Sequence, residues 1–320
     1  MKSVFYMLVG LPGSGKSSLA QKLIKERTMY YESAKSGKKI IWISSDKIRE
    51  DFYGSEDIQG DSKEVFAEMK KRTEAALGAG NDVIYDACNI NSKKRRAFLE
   101  QIKKFRCEKI CVICATPYQL CLERDNGRDR VVGENVIRKM YLNWKTPYYY
   151  EGWDKISIYF ADASAESYGR PREFVQQYMK YDQENPHHLE TLGEHLNGTM
   201  EYLINNGKCL PDDNLAIAGL LHDCGKPFTK AFLDSKGNKT EIAHYYQHAC
   251  TGAYDALFFQ YPNKAMADIL EISLLINLHM QPISWGGENK KKERLLGKKV
   301  YEDLLTLNEA DNASRRFLEI

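Results

Sequence analysis

Val4-Phe-Tyr-Met-Leu-Val9, followed by Gly10-Leu-Pro-Gly13-Ser14-Gly15-Lys16-Ser17-Ser18, is the stretch on which the fold turns. Six consecutive apolar residues without polar alternation predict a strand covered on both faces. Gly10–Ser17 fits G-x-x-x-x-G-K-[ST], and the helix-period run Ser17–Arg27 follows it. Strand, loop and helix in that order make the motif a phosphate-binding loop. Gly13, Ser14 and Gly15 let backbone N–H groups curl around a phosphate, and the helix N-terminus adds partial positive charge. Lys16 is placed to bridge β- and γ-phosphates, Ser17 to ligate Mg²⁺ and Ser18 to line the same pocket. The expected cofactors are ATP or another NTP, with Mg²⁺.

Working outward, Ile40–Ile43, Val83–Tyr85, Ile110–Cys114 and Ile156–Phe160 read as further buried strands. They alternate with helical patterns at Lys63–Leu77, Lys93–Phe105 and Pro117–Arg124, which implies a parallel sheet with right-handed crossovers. After Phe160 the strand signals stop. Polar Ala161–Pro186, with Gly169, Pro171 and Pro186, is the expected linker, carrying a short helix at Glu173–Tyr181. Beyond it helical patterns dominate, at Glu190–Ile204, Asp213–Cys224, His244–Phe258, Lys264–Leu278 and Lys298–Leu318. Leu233–Thr240 reads as a loop or hairpin, and Lys290-Lys291-Lys292 as a solvated loop. The expected architecture is an α/β P-loop domain over 1–160, with flanking helices and a lid. A linker over 161–186 and an all-α helical bundle over 187–320 follow.

Of the 320 residues, 43% are hydrophobic and 28% charged, the profile of a soluble globular protein. No apolar run is long enough for a membrane span, and no membrane partner is expected. The eight cysteines show no disulfide framework. Cys111 and Cys114 have metal-ligand spacing but lie in a strand without a second pair, so they read as buried thiols. A cytoplasmic location follows. Residues 1–180 hold 32 Lys+Arg against 24 Asp+Glu, and residues 181–320 hold 14 against 20. A basic first half suits a polyanionic partner. The acidic second half suits bound cations. All seven histidines lie between His187 and His279, so the two halves carry different chemistry.

Ser45-Asp46-Lys47-Ile48-Arg49 follows the second strand, at the carboxyl edge of the sheet where ligands bind. Asp46 there is able to take a proton from an attacking hydroxyl, or else simply caps a helix. Arg49, one turn on, suits an acceptor phosphate. Asp86 ends the third strand at the same edge and is expected, with Arg49, to bind the acceptor. The charged segment Arg124-Asp-Asn-Gly-Arg128-Asp-Arg130 suits a lid that closes over the γ-phosphate.

Gly10–Ser17, Asp46 with Arg49, Val65–Gly80, Val83–Asn89 and Arg124–Tyr141 together resemble the kinase domain of bacteriophage-type polynucleotide 5′-hydroxyl kinases. The wider group includes zeta-toxin-like kinases with other acceptors. The resemblance implies Lys16 and Ser17 at the triphosphate, Asp46 as general base and Arg49 on the acceptor phosphate. It further implies Arg128 as the lid arginine, with Arg124 and Asp86 in support. This lid is shorter than the family's between Arg128 and Tyr141, so Arg128 and Arg130 both stand for the catalytic role.

In the second half His195, His222-Asp223, His248, His279 and Asp311 fall on separate expected helices, so a bundle interior is able to gather them. An Asp beside a His allows one carboxylate to bridge two metals roughly 3.5–4 Å apart. Gly225 reads as the C-cap that ends the His222 helix. Thr191–His195, Leu220–Pro227 with Thr229, and Tyr246–Ala253 resemble the HD-domain phosphohydrolases, especially the HD domain of tRNA nucleotidyltransferases. The resemblance implies that His195, His222, Asp223 and Asp311 hold one metal. It implies that His248 and His279 help hold a second, and that Lys226 steadies a substrate phosphate. The donor set admits Mn, Ni, Co, Fe or Zn. His187 and His188 read as structural; His244 either orients a leaving group or caps its helix.

A 5′-hydroxyl kinase joined to a phosphohydrolase suits the healing of RNA breaks that leave 5′-OH and 2′,3′-cyclic phosphate ends. The expectation is an NTP-dependent kinase of 5′-OH nucleic-acid ends, RNA favoured, with a 2′/3′-phosphatase that also opens the cyclic form. An RNA ligase is the expected functional partner. The competing readings are a small-molecule kinase with an HD nucleotidase, and a kinase with a non-catalytic HD module that grips RNA.

Overall fold

The computed structural model describes residues 2–56, 58, 60–127, 131–161, 168–186, 188–285 and 289–315. Arg128, Arg130 and His187 lie outside the described residues. The chain divides into two compact units, Met1–Met140 with Pro147–Ala165, and Tyr141–Thr146 with Glu166–Ile320.

The first unit is a parallel α/β layer. Its elements run β1 Ser3–Val9, α1 Lys16–Ser33, β2 Ile40–Ser44, α2 Ser45–Tyr53, α3 Ser62–Gly78, β3 Asp82–Asp86, α4 Ser92–Gln101, β4 Cys107–Ala115, α5 Tyr118–Asn126, α6 Glu134–Tyr141 and β5 Lys155–Phe160. The strand order is β2-β3-β1-β4-β5, all parallel. β1 is central and buried at every residue, as its unbroken apolar run requires. β2 and β5 are edge strands with only partial cover, which corrects the expectation that all five strands are buried on both faces. Parallel register places the ends of β1, β2 and β3 at one edge, so the phosphate-binding loop, Asp46 and Asp86 converge there. Cys111 and Cys114 are buried free thiols.

Asp82 anchors the opposite edge. Its buried carboxylate accepts from the Val4 backbone N–H at 2.8 Å, pairs with Lys38 at 2.6 Å and Arg27 at 2.8 Å, and is bonded by the Tyr31 hydroxyl. Burial opposes the charge, but the bonds from Lys38, Tyr31 and Arg27 prevail and lower the carboxyl below its ordinary range. A depressed carboxyl contributes stability that is present above its unfolded value, about 3.9, and is lost as pH falls through the folded value. Asp82→Ala is expected to cost about 3–5 kcal/mol, because two cations lose a buried counter-charge. Urea unfolding at pH 7 checks the size. The difference from wild type should shrink at pH 3.

The second unit is largely helical. It comprises α7 Pro171–Gln176, α8 Leu192–Asn205, α9 Asn214–Leu221, α10 Lys226–Thr229, the antiparallel hairpin β6 Ala231–Leu233 and β7 Lys239–His244, α11 His248–Asp255, α12 Met266–Leu278, α13 Lys290–Leu296 and α14 Lys298–Ala313. The hairpin means the unit is not all-α. Residues of the expected linker belong to this unit: α7 packs on α8 and α9, and Val175 and Gln183 are buried. Lys290–Lys292 open α13 rather than forming a loop. Among the described residues no helix is long and apolar enough to cross a membrane.

Candidate active sites

The phosphate-binding loop has the backbone its glycines predict. Gly13 and Gly15 adopt φ of 79° and 83°. A Cβ at Gly13 would also lie 2.4 Å from the Cys121 carbonyl oxygen, so glycine is required twice over. Lys16 starts α1 and donates from Nζ to the Gly10 and Leu11 carbonyls at 3.2 and 2.7 Å. Ser17 Oγ donates to Asp86 Oδ2 at 3.2 Å, and Trp42 Nε1 donates to the same oxygen at 3.1 Å. Burial pushes the Asp86 carboxyl up against the pull of Lys16, Trp42 and Ser17. A hydroxyl and a carboxylate within bonding distance are hard oxygen donors that fit Mg²⁺. Asp86 therefore stands beside the expected metal ligand Ser17.

Asp46 lies in the first turn of α2, where Ser44 supplies the cap by accepting from the Asp46 N–H at 3.2 Å. Ser44, not Asp46, therefore caps α2. The Asp46 carboxylate is 46% exposed and pairs with Arg49 Nη1 at 2.8 Å. Arg49 Nε is buried without a hydrogen-bond partner. Of the residues expected in a lid, Arg124 sits in the last turn of α5. Next to it, buried Asp125 accepts from the Val132 and Gly133 N–H groups at 3.1 and 2.9 Å. Neither the Asp125 role nor the Trp42 bond was foreseen; both join residues far apart or across a loop. Trp42→Phe is expected to raise the Mg²⁺ concentration for half-maximal ATP turnover about fivefold, equivalent to the ~1 kcal/mol of one hydrogen bond. A Mg²⁺ titration of turnover checks it.

In the second unit the histidines and aspartates converge as expected. His195 comes from α8, His222 and Asp223 follow α9, His248 starts α11, His279 follows α12 and Asp311 lies in α14. His195, His222, Asp223, His279 and Asp311 are buried to 3% exposure or less. The donor atoms form two lobes. His195 Nε2 lies 3.2 Å from His222 Nε2 and 3.2 Å from Asp311 Oδ1. His248 Nε2 lies 3.2 Å from His279 Nε2. Asp223 stands between them: Oδ2 is 3.5 and 3.4 Å from His195 and His222, and Oδ1 is 3.1 and 3.6 Å from His248 and His279.

The donor chemistry fits divalent metals. Nitrogens bound to zinc at 2.0–2.1 Å in a tetrahedron sit about 3.3 Å apart, close to the separations seen. The Nδ1 atoms of His222, His248 and His279 face the carbonyls of Gly219, Tyr245 and Ile276 at 2.8, 2.6 and 2.8 Å. A carbonyl only accepts, so each Nδ1 carries a proton and Nε2 is the atom left facing inward. Burial opposes charge on His222, but Asp223 and Asp311 outweigh it and raise the imidazole to about 10. Burial keeps His279 below its ordinary value.

Lys226 is buried and bonds Asp223 Oδ2 at 2.7 Å and Gln183 Oε1 at 2.6 Å. Arg315 binds Asp311 at 2.7 Å. His188, expected to be structural, lies beside the cluster. Its Nε2 lies 3.3 Å from Lys226 Nζ, and its Nδ1 meets Glu190 at 2.8 Å. Glu190 also approaches His195 Nδ1 at 3.5 Å, so His188, Glu190 and His195 form a further group of close donors. The sequence signals were present: Glu190 is two residues from His188, and Arg315 is one helical turn past Asp311. His244 ends β7 and stacks on Tyr246, outside the cluster, so it caps no helix. The following helix starts at His248. Gly225 is not a left-handed C-cap: α9 ends at Leu221, and Gly225 has φ of −80°. Its reason is proximity, since a Cβ there would lie 2.2 Å from the His248 carbonyl oxygen.

Comparison with known proteins adds to the first unit. A family model described as an AAA domain matches residues 5–147. The first unit is thus a P-loop nucleotide-binding domain. The chain is 27% identical over 150 residues to an L-seryl-tRNA(Sec) kinase of Methanococcus maripaludis, covering 46% of this chain. It spans 55% of that relative's length. Among solved structures, Chaetomium thermophilum Kti12 in complex with ADP-AlF3 is 18% identical, with a TM-score of 0.37 over 49% of this chain and 89% of its own. A fungal RNA kinase is 13% identical, with a TM-score of 0.37 over 52% and 40%. A Pnkp1/Rnl/Hen1 complex is 18% identical, with a TM-score of 0.32 over 58% and 52%.

Proposed function

We propose that the chain is a two-site RNA end-healing enzyme, an NTP-dependent 5′-hydroxyl kinase joined to a metal-dependent 2′/3′-phosphatase. The observation that carries this reading is the pairing of two built sites on one chain. One is a phosphate-binding loop with the Asp46–Arg49 pair at the same sheet edge. The other is a buried carboxylate, Asp223, shared between two pairs of imidazoles. An enzyme that adds phosphate to one end and removes it from the other needs both.

At the kinase site Lys16 and the loop N–H groups would bind the donor phosphates, and Ser17 and Asp86 would hold Mg²⁺. Arg49 fixes the Asp46 carboxylate, which accepts the proton of the attacking hydroxyl. Arg124 and a lid arginine, Arg128 or Arg130, neutralise charge on the transferring group. At the second site His195, His222, Asp223 and Asp311 would hold one divalent ion, and Asp223, His248 and His279 a second. Such ions supply Lewis-acid activation of water and charge neutralisation. Lys226 steadies a substrate phosphate beside Asp223, and His188 with Glu190 orients Lys226 and His195.

The test supplies ATP, Mg²⁺ and Mn²⁺ with oligonucleotides bearing 5′-OH and either 2′-phosphate, 3′-phosphate or 2′,3′-cyclic ends, and resolves the products. Phosphorylated 5′ ends together with loss of terminal phosphate support the reading. Turnover of mononucleotides alone would replace it with a small-molecule kinase and nucleotidase. The identity to an L-seryl-tRNA(Sec) kinase favours a second reading, in which the acceptor hydroxyl is carried on an aminoacylated tRNA. Seryl-tRNA as a competing acceptor distinguishes the two.

A further inference from the structure

Between α4 and the turn Tyr149–Glu151 of the first unit lies a groove of about 550 Å³, remote in role from the residues placed in either active site. Lys93, Arg96, Lys103 and Lys109 line it, against Glu100 and Glu151. The two acids are already matched. Glu151 takes the buried Arg95 guanidinium at 2.6 Å, and Glu100 pairs with Lys103 at 3.3 Å. Lys93, Arg96 and Lys109 have no ion-pair partner among the described residues. Lys93 and Arg96 are exposed and Lys109 is half-buried. The groove thus presents three uncompensated cations strung along a wall rather than gathered at a point.

That spacing selects a linear polyanion. Lys93 opens α4 at the carboxyl edge of the sheet and Lys109 lies near the start of β4 toward the other edge, so the cations are spread over on the order of 15 Å, the length of α4. A strand whose phosphates recur every ~3.4 Å or more places about two to four of them in that length. A free triphosphate instead needs convergent donors, as the phosphate-binding loop provides. Half-buried Tyr150, whose hydroxyl bonds Ser92 at the start of α4, also lines the groove. An aromatic ring beside a basic track is how single strands are held without sequence preference. Lys93 sits in the first turn of α4, which begins just past the sheet edge that carries Asp86.

We propose that this groove is a docking track for the phosphodiester backbone of a single-stranded nucleic acid, with Tyr150 as its stacking platform. The proposal rests on the kinase reading for its purpose, since the strand held there would be the one phosphorylated, but its binding claim is separate.

Equilibrium binding of a fluorescent 5′-OH 12-mer to the full chain, read by anisotropy across a salt series, tests it. K93E/R96E/K109E is expected to weaken binding at least tenfold. The slope of log affinity on log salt should fall by about 2, from ~0.7 per lost phosphate contact. K290E/K291E/K298E changes net charge equally at exposed lysines of the second unit and should stay within twofold. K93Q/R96Q/K109Q, checked for an unchanged Tm, guards against a folding defect and should show the same loss in smaller measure. In phosphorylation assays KM for the 12-mer should rise, while kcat/KM for a 5′-OH mononucleoside 3′-phosphate is unchanged. Wild-type affinity in the groove variants, or an equal loss in the control, overturns the proposal. Groove-dependent binding by a wild-type chain that phosphorylates no 5′ end would sustain the track and sink the kinase reading.

Discussion

Asp223→Asn is expected to strip the second unit of bound metal and of phosphatase activity while leaving nucleotide-dependent phosphorylation intact. Asp223 is the only residue whose two oxygens face both imidazole pairs among the described residues. Loss of an outer partner alone typically costs 10–100-fold in metal affinity. Losing the shared ligand should therefore cost upward of about 10³-fold in turnover of a 3′-phosphorylated oligonucleotide. Asparagine is preferred to alanine because it keeps the volume beside Lys226. Alanine would also leave a buried ammonium without its 2.7 Å partner, a loss of about 3–5 kcal/mol on its own. Elemental analysis of the purified chain and end-resolved phosphatase assays provide the readout. A variant that keeps both its metal and its rate would refute the two-lobed site.

Asp46→Asn should have the mirror effect. General-base assistance is worth about 10²–10⁴ in rate, and asparagine keeps the shape without the basicity. The carboxylate is 46% exposed and its bond to Arg49 lies on one turn of helix, where an ion pair adds little stability. The melting temperature should therefore hold, and so should NTP affinity, because Lys16, Ser17 and the loop are untouched. The expected signature is a fall in kcat at constant KM for ATP, with phosphatase unaffected. A rate within threefold of wild type would remove Asp46 from proton transfer. A matched loss in both activities would overturn the two-site model.

Much of this was legible in the chain. An unbroken apolar run ending in a glycine-rich loop specifies a central parallel strand, and β1 lies where that predicts. The convergence of His195, His222, Asp223, His248, His279 and Asp311 was readable because they fall on separate expected helices of one bundle. Edge strands were less legible, since Ile40–Ile43 is as apolar as a central strand and only sheet order leaves it half covered. Gly225 shows the same limit. A glycine after a helix suggests a left-handed cap, whereas here a neighbouring backbone claims the space. The place of His188 beside the cluster was not legible because Lys226, 38 residues away, decides it.

The bonds that tether His222, His248 and His279 reach only three residues back along the chain. Each of these imidazoles therefore has its Nδ1 proton placed within a single turn, before any two helices meet. Folding does not have to choose which ring nitrogen of these imidazoles turns inward; it only has to bring the Nε2 atoms together. His195 differs, taking its orientation from Glu190 and from Ser314, 119 residues away. It is the ligand that becomes competent only once the bundle has closed, so exchange at its ring proton should report assembly of the whole second unit.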